Sequence, residues 1–136
     1  MSRILAGALA LMLGLNALAM LFAPFWWYNA VPGVIATGPY NPHFVRDIGA
    51  AYLVTAGGLA WFAARPVQGW PALVAGAGFL LLHAAIHVFD ASCSADPLAN
   101  LIRDLPGVYA PTLIAAAIAL VRRHARGPHP AGAVEF

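Results

Sequence analysis

Lysine is missing from this chain, and charge of either sign is scarce. The seven basic residues are all arginines, and only five residues are acidic among 136. Charged residues are 9% of the chain, against about 25% in ordinary soluble domains. So few charges cannot cover a water-facing surface, which excludes a soluble globular domain. The net charge of +2 is small and scattered, so a nucleic-acid footprint is excluded as well. Cys93 is the only cysteine, and one thiol makes no internal disulfide and matches no metal spacing. It reads as a small loop residue, free or paired between chains. There is no Walker loop and no dinucleotide fingerprint. Ser92 and Ser94 lie in a loop without a nucleophile elbow. Nucleotide enzymes and serine hydrolases are therefore set aside.

What the chain has is apolar length. Hydrophobic residues are 62% of the total, and mean hydropathy is +0.77. A spanning helix needs about 20 mostly apolar residues. Four stretches meet or approach this: residues 4–23, 47–64, 70–89 and 105–121. The expected fold is an all-α, four-helix transmembrane bundle in one membrane domain, 1–123, followed by a polar, disordered tail at 124–136. The bilayer is the expected partner, and association into a homo-oligomer or larger complex stays open.

Arginine placement gives the orientation. Arg3, Arg65, Arg122, Arg123 and Arg126 fall on one side; Arg46 and Arg103 fall on the other with Asp47, Asp90, Asp96 and Asp104. The first group is cytoplasmic by the positive-inside rule, so both termini are inside. An inner-membrane, multi-pass protein follows. Arg3, an apolar run and the "ALA" at 17–19 also resemble a signal peptide, but the run outlasts the usual apolar core. The first helix is expected to remain uncleaved. "FWWY" at 25–28 fits an interfacial aromatic belt.

The two longer loops then face outward. The loop at 24–45 is rich in Pro, Gly and Asn, and its aromatics suggest it folds back on the membrane. In "DPLANLIRDLPG", Asp96 reads as an N-cap with Pro97 at the first helical position. A short interfacial helix is expected there. Small residues recur at four-residue spacings in the spans, as at Ala6, Ala10 and Gly14, at Ala56 and Ala60, and at Ala72 and Gly76. Such spacing lets helices approach closely.

Polar residues collect at one level. Residues 38–49, "GPYNPHFVRDIG", bring His43, Arg46 and Asp47 to the start of the second span. "HAAIHVFD" places His83, His87 and Asp90 along one stripe at the end of the third. Counting inward at about 1.5 Å per residue, Asn16, Tyr52, His83 and Thr112 reach a common depth. An outward-opening pocket is expected, with those four as floor. Its rim would be His43, Arg46, Asp47, His87, Asp90 and Tyr109. Arg46 is expected to approach Asp90 or Asp47.

Three readings of this layer stay open. It locks the helices, as interhelical polar contacts do. It holds a transition metal through His83, His87 and a third ligand from Asp90, His43 or Asp47. Or it binds a quinone or a lipid headgroup, His83 and Tyr52 bonding the carbonyl. Haem ligation by His83 or His87 and a proton relay through Asp47, His83 and Asp90 are lesser options.

The run "GPYNPHFVRDIGAAYL", with four short spans, resembles small bacterial four-helix membrane proteins that are broadly DoxX-like. In such proteins an Arg-Asp pair opens the second helix, which Arg46 and Asp47 match. The resemblance implies a four-helix bundle and favours a quinone-linked accessory role. Most such proteins have no assigned activity, and this chain has no cysteine pair for sulfur chemistry.

Overall fold

The structure is a computed structural model that describes residues 1–125, with side chains described through Val121. Six α-helices account for nearly all of it, and the described residues contain no strand. They are α1 (Ser2–Phe22), α2 (Pro24–Ala30), α3 (Pro42–Ala64), α4 (Trp70–Ser92), α5 (Pro97–Asp104) and α6 (Ala110–Ala125). Four helical stretches are long and apolar enough to cross a membrane: Ser2–Phe22, Pro42–Ala64, Trp70–Ser92 and Pro97–Val121. In space α1 packs on α3, α3 on α4, α4 on α6, and α6 returns to α1. The expected all-α, four-helix membrane bundle is what the chain forms.

Two helix starts differ by five residues or more from those read in the sequence. The second span begins at Pro42 rather than 47. Asn41 caps it, its side-chain oxygen accepting from the His43 N–H at 3.1 Å and the Phe44 N–H at 3.2 Å. Pro42 then fits the first turn, where no internal N–H partner is needed. The consequence is that His43, Arg46 and Asp47 stand within a helix rather than at its threshold.

The fourth span also differs. α5 forms with the Asp96 cap in place, Asp96 Oδ1 accepting from the Ala99 N–H at 3.0 Å. Yet it does not end in a loop. Residues Leu105–Tyr109 form one π-turn that leads straight into α6, and the Ala110 N–H donates to Leu105 O. Pro106 and Pro111 lie five residues apart and supply no N–H. A turn with five-residue bonding accommodates what four-residue bonding would break. Thr112 Oγ1 lies 2.7 Å from Val108 O and 3.2 Å from Leu80 O, tying this turn to α4.

Inside the bundle, Phe62, Met20, Leu59, Leu73 and Leu80 are the largest fully buried side chains. Leu11, Val54, Leu82, Ile86 and Leu113 are exposed on the periphery, as lipid-facing side chains are. Association between spanning helices depends on close packing rather than on water exclusion. Small residues provide it. Gly14 faces Ala56 across α1 and α3, and Gly76 faces Thr55 across α3 and α4. Among glycines within the spanning helices the approach is tightest at Gly49, where an added Cβ would come within 2.8 Å of Met20 Cβ.

The loop read over 24–45 contains α2 and a 3-10 turn at Val34–Thr37. Trp27 Nε1 donates to Asn16 Oδ1 at 2.8 Å, which folds α2 back onto α1. Tyr40 packs against both Phe25 and Tyr28, with centroids 5.3 Å apart in each case. The tail read as 124–136 begins inside α6, and residues 126–136 lie outside the described residues.

Candidate functional site

One polar cluster stands out, at the end of the bundle where α4 meets α5. Phe79, His83 and His87 recur every four residues on α4, so their rings form one stripe. His83 lies nearly parallel to Phe79, at 5.9 Å and 21°. It meets His87 edge-on, centroids 4.7 Å apart. From α3, Tyr52 closes the stripe's side, 5.6 Å from His83 and 5.4 Å from Phe79.

The ionic half comes from α5. Asp104 is only 8% exposed, and its carboxylate lies 2.7 Å from His87 Nδ1. Arg103 grips the same carboxylate, Nε to Oδ1 at 2.7 Å and Nη2 to Oδ2 at 3.1 Å. Nη1 of Arg103 donates to Asn100 Oδ1 at 2.6 Å, and Asn100 Nδ2 donates to Ser94 Oγ at 2.7 Å. The guanidinium lies against Gly33 in the loop after α2. An added Cβ on Gly33 would sit 2.5 Å from Arg103 Cζ. Ser94, Asn100, Arg103, Asp104 and His87 thus form one continuous chain of hydrogen bonds.

This chain fixes a tautomer. A carboxylate engaged by arginine has only acceptor atoms to offer. His87 must therefore present Nδ1–H to Asp104, and in the neutral ring the lone pair is on Nε2. A carboxylate behind an imidazole is the arrangement that orients a working histidine. The other imidazole, His83, makes ring contacts but no hydrogen bond among the described residues. Tyr109, on the π-turn after Asp104, has a buried hydroxyl with no hydrogen-bond partner among the described residues. An unmet buried hydroxyl costs about 1–3 kcal/mol and calls for an explanation.

The structure brings together Tyr52, His83 and His87 of the residues singled out in the sequence, with Thr112 bonded to α4 nearby. It places the others elsewhere. Asn16 is engaged by Trp27 on the α1–α2 side. His43 Nε2 and Asp47 Oδ2 pair at 3.3 Å on an exposed first turn of α3. Arg46 does not pair with Asp90 or Asp47; no described carboxylate lies within 4.0 Å, and its Nε donates to Leu21 O at 3.1 Å. It caps the end of α1, whose last carbonyls have no partner within the helix. Asp90 is exposed and enters no side-chain bond among the described residues. The proposed metal set of His83, His87, Asp90 and His43 therefore does not converge. Among the described residues, no three His, Cys, Asp or Glu side chains are placed to hold a metal ion.

Arg103 and Asp104 were the residues that sequence reasoning passed over. The chain holds two Arg-Asp dipeptides, at 46–47 and 103–104. The first looked like a site because it opens a span. The second is the one whose aspartate is buried against a histidine.

The class defined by fold and cluster is a multi-pass four-helix membrane protein with a histidine–aspartate–arginine centre at one end of the bundle. Compared with protein families, with curated proteins and with solved structures, the chain matches none.

Proposed function

We propose that this chain is an inner-membrane protein of a bacterial cell, both termini cytoplasmic, whose His83–His87 cluster faces outward and binds a quinone. It would serve as a redox accessory subunit, of the kind the DoxX-like resemblance suggests. The observation that carries the reading is the juxtaposition of His87, whose Nδ1 is held by Asp104, with His83, which makes no hydrogen bond among the described residues. A quinol hydroxyl would donate to Nε2 of His87. A quinone carbonyl would accept from His83 or from the Tyr109 hydroxyl. Tyr52 and Phe79 supply flat apolar surface beside these polar atoms, the general make-up of a small-molecule site. A lipid headgroup presents similar acceptors and competes for the same atoms.

A short-chain benzoquinone titrated into detergent-solubilised protein tests the proposal. Saturable binding, weakened at least about tenfold by His83→Ala, supports it; one lost charge-assisted or buried hydrogen bond is worth about 1.4 kcal/mol or more. Binding that is absent, or equal in the variant, rejects it.

A purely structural reading has its own observation. Arg103 joins α5, Asp104 and the Gly33 loop into one assembly, and Asp104 is satisfied without any ligand. On that reading the cluster locks loops to helices, and the benzoquinone does not bind.

A further inference from the structure

The opposite end of the bundle, where α1 begins and α3 ends, carries a feature that the histidine cluster does not use. An open apolar groove of about 550 Å³ runs between α1 and α3, past Gly7 and Leu11 on one side and Gly57 and Ala60 on the other. Its length along α3, from Ala56 to Ala64, is about 12 Å at 1.5 Å per residue. A second cavity of about 460 Å³, walled by Arg3 and Ile4, shares Ala63 with it. The Ala63 end of the groove, its mouth, therefore lies beside a guanidinium.

Arg3 is fixed at that mouth. Its Nε donates to Ala63 O at 2.8 Å and its Nη2 to Ala64 O at 3.2 Å. Arg65 follows directly in sequence and is exposed. Neither arginine has a described carboxylate within ion-pair distance. All four described acids, Asp47, Asp90, Asp96 and Asp104, lie at the other end of the helices. An apolar slot that ends in positive charge, with no described carboxylate beside it, is complementary to an anion with a hydrocarbon chain. A second copy of this chain fits worse. Two-fold association about an axis along the membrane normal sets like ends side by side, so Arg3 and Arg65 would face the same residues of the partner.

We propose that this groove and its arginine mouth hold one anionic glycerophospholipid. Its acyl chain lies along Gly57 and Ala60, and its phosphodiester meets the guanidinium of Arg3.

The test is native mass spectrometry of the full chain, released from micelles that contain equal phosphatidylglycerol and phosphatidylcholine with the same acyl chains. The wild-type protein is expected to retain phosphatidylglycerol over phosphatidylcholine by about fivefold or more, one arginine near a lipid surface being worth that factor. Arg3→Lys keeps the preference and Arg3→Gln loses it. Gly57→Leu loses retention of both lipids, because its side chain enters the slot; nothing lies within 4 Å of a Cβ added there, so the fold has room for it. Equal retention of the two lipids by the wild type overturns the proposal without any variant. So does undiminished phosphatidylglycerol on Gly57→Leu. A dimer that Gly57→Leu splits, with lipid retention unchanged, also overturns it and gives the groove to a second copy.

Discussion

His87 Nδ1 lies 2.7 Å from Asp104 Oδ2, and this contact joins α4 to the end of α5 across seventeen positions of sequence. Arg103 holds the other side of the same carboxylate. A buried acid with partners on both sides is stable only while both remain, because removing one leaves charge or donors without a match.

Asp104→Ala should therefore destabilise the bundle by roughly 1.5–3 kcal/mol, the range for hydrogen bonds that involve charged groups. Asp90→Ala should change stability by less than about 0.5 kcal/mol, as exposed substitutions usually do. Reversible denaturation in detergent micelles compares the two. Equal effects would mean that the Asp104 contacts carry no weight.

Gly33 has φ of +86° and supports the guanidinium of Arg103 on its bare Cα. Gly33→Ala meets two obstacles: a left-handed backbone, costing about 1–2 kcal/mol for a residue with a Cβ, and a clash with Arg103. In Arg103→Ala the clash vanishes but the backbone cost stays. A double-mutant cycle on apparent melting temperature should then show a coupling of at least about 0.5 kcal/mol between the two positions. Strict additivity would place the Arg103 side chain away from the loop.

Two glycines of α3 should behave in opposite ways. Gly49 faces Met20 Cβ at 2.8 Å from an added Cβ, while Gly57 has nothing within 4 Å. Gly49→Ala forces α1 and α3 apart, at about 1–3 kcal/mol by analogy with overpacked cores. Gly57→Ala gains helix propensity, up to about 1 kcal/mol. Thermal denaturation that ranks them the other way would contradict the packing of α1 on α3.

The four spans were legible because twenty apolar residues without charge leave few alternatives to a membrane helix. The stripe of His83 and His87 was legible for a similar reason: four-residue spacing fixes a shared face whatever else the chain does. Tyr52 could be placed beside His83 by counting rise along two antiparallel helices. Asp104 could not. Its position depends on the π-turn at Leu105–Tyr109, which keeps α5 in line with α6. "DLPG", with Pro106 inside the turn and Pro111 just after it, reads as a break in a helix, not as a continuation. Arg46 misled for a different reason. Pairing with a nearby carboxylate is the obvious match for an arginine at a membrane edge. The free carbonyls at the end of α1 offered an equally good acceptor, and Leu21 O took it.

The most direct test of the histidine centre is ¹⁵N NMR of the protein labelled at histidine, in micelles, with and without a short-chain benzoquinone. Without it, His87 in its neutral form should show a protonated Nδ1 and an unprotonated Nε2. On addition, the His83 and His87 ring signals should shift together while that of His43, on the exposed turn of α3, stays in place. A neutral His87 ring with its proton on Nε2 instead of Nδ1 would contradict the Asp104 contact. Signals that do not move at saturating benzoquinone would contradict the binding site and leave the cluster as a structural lock.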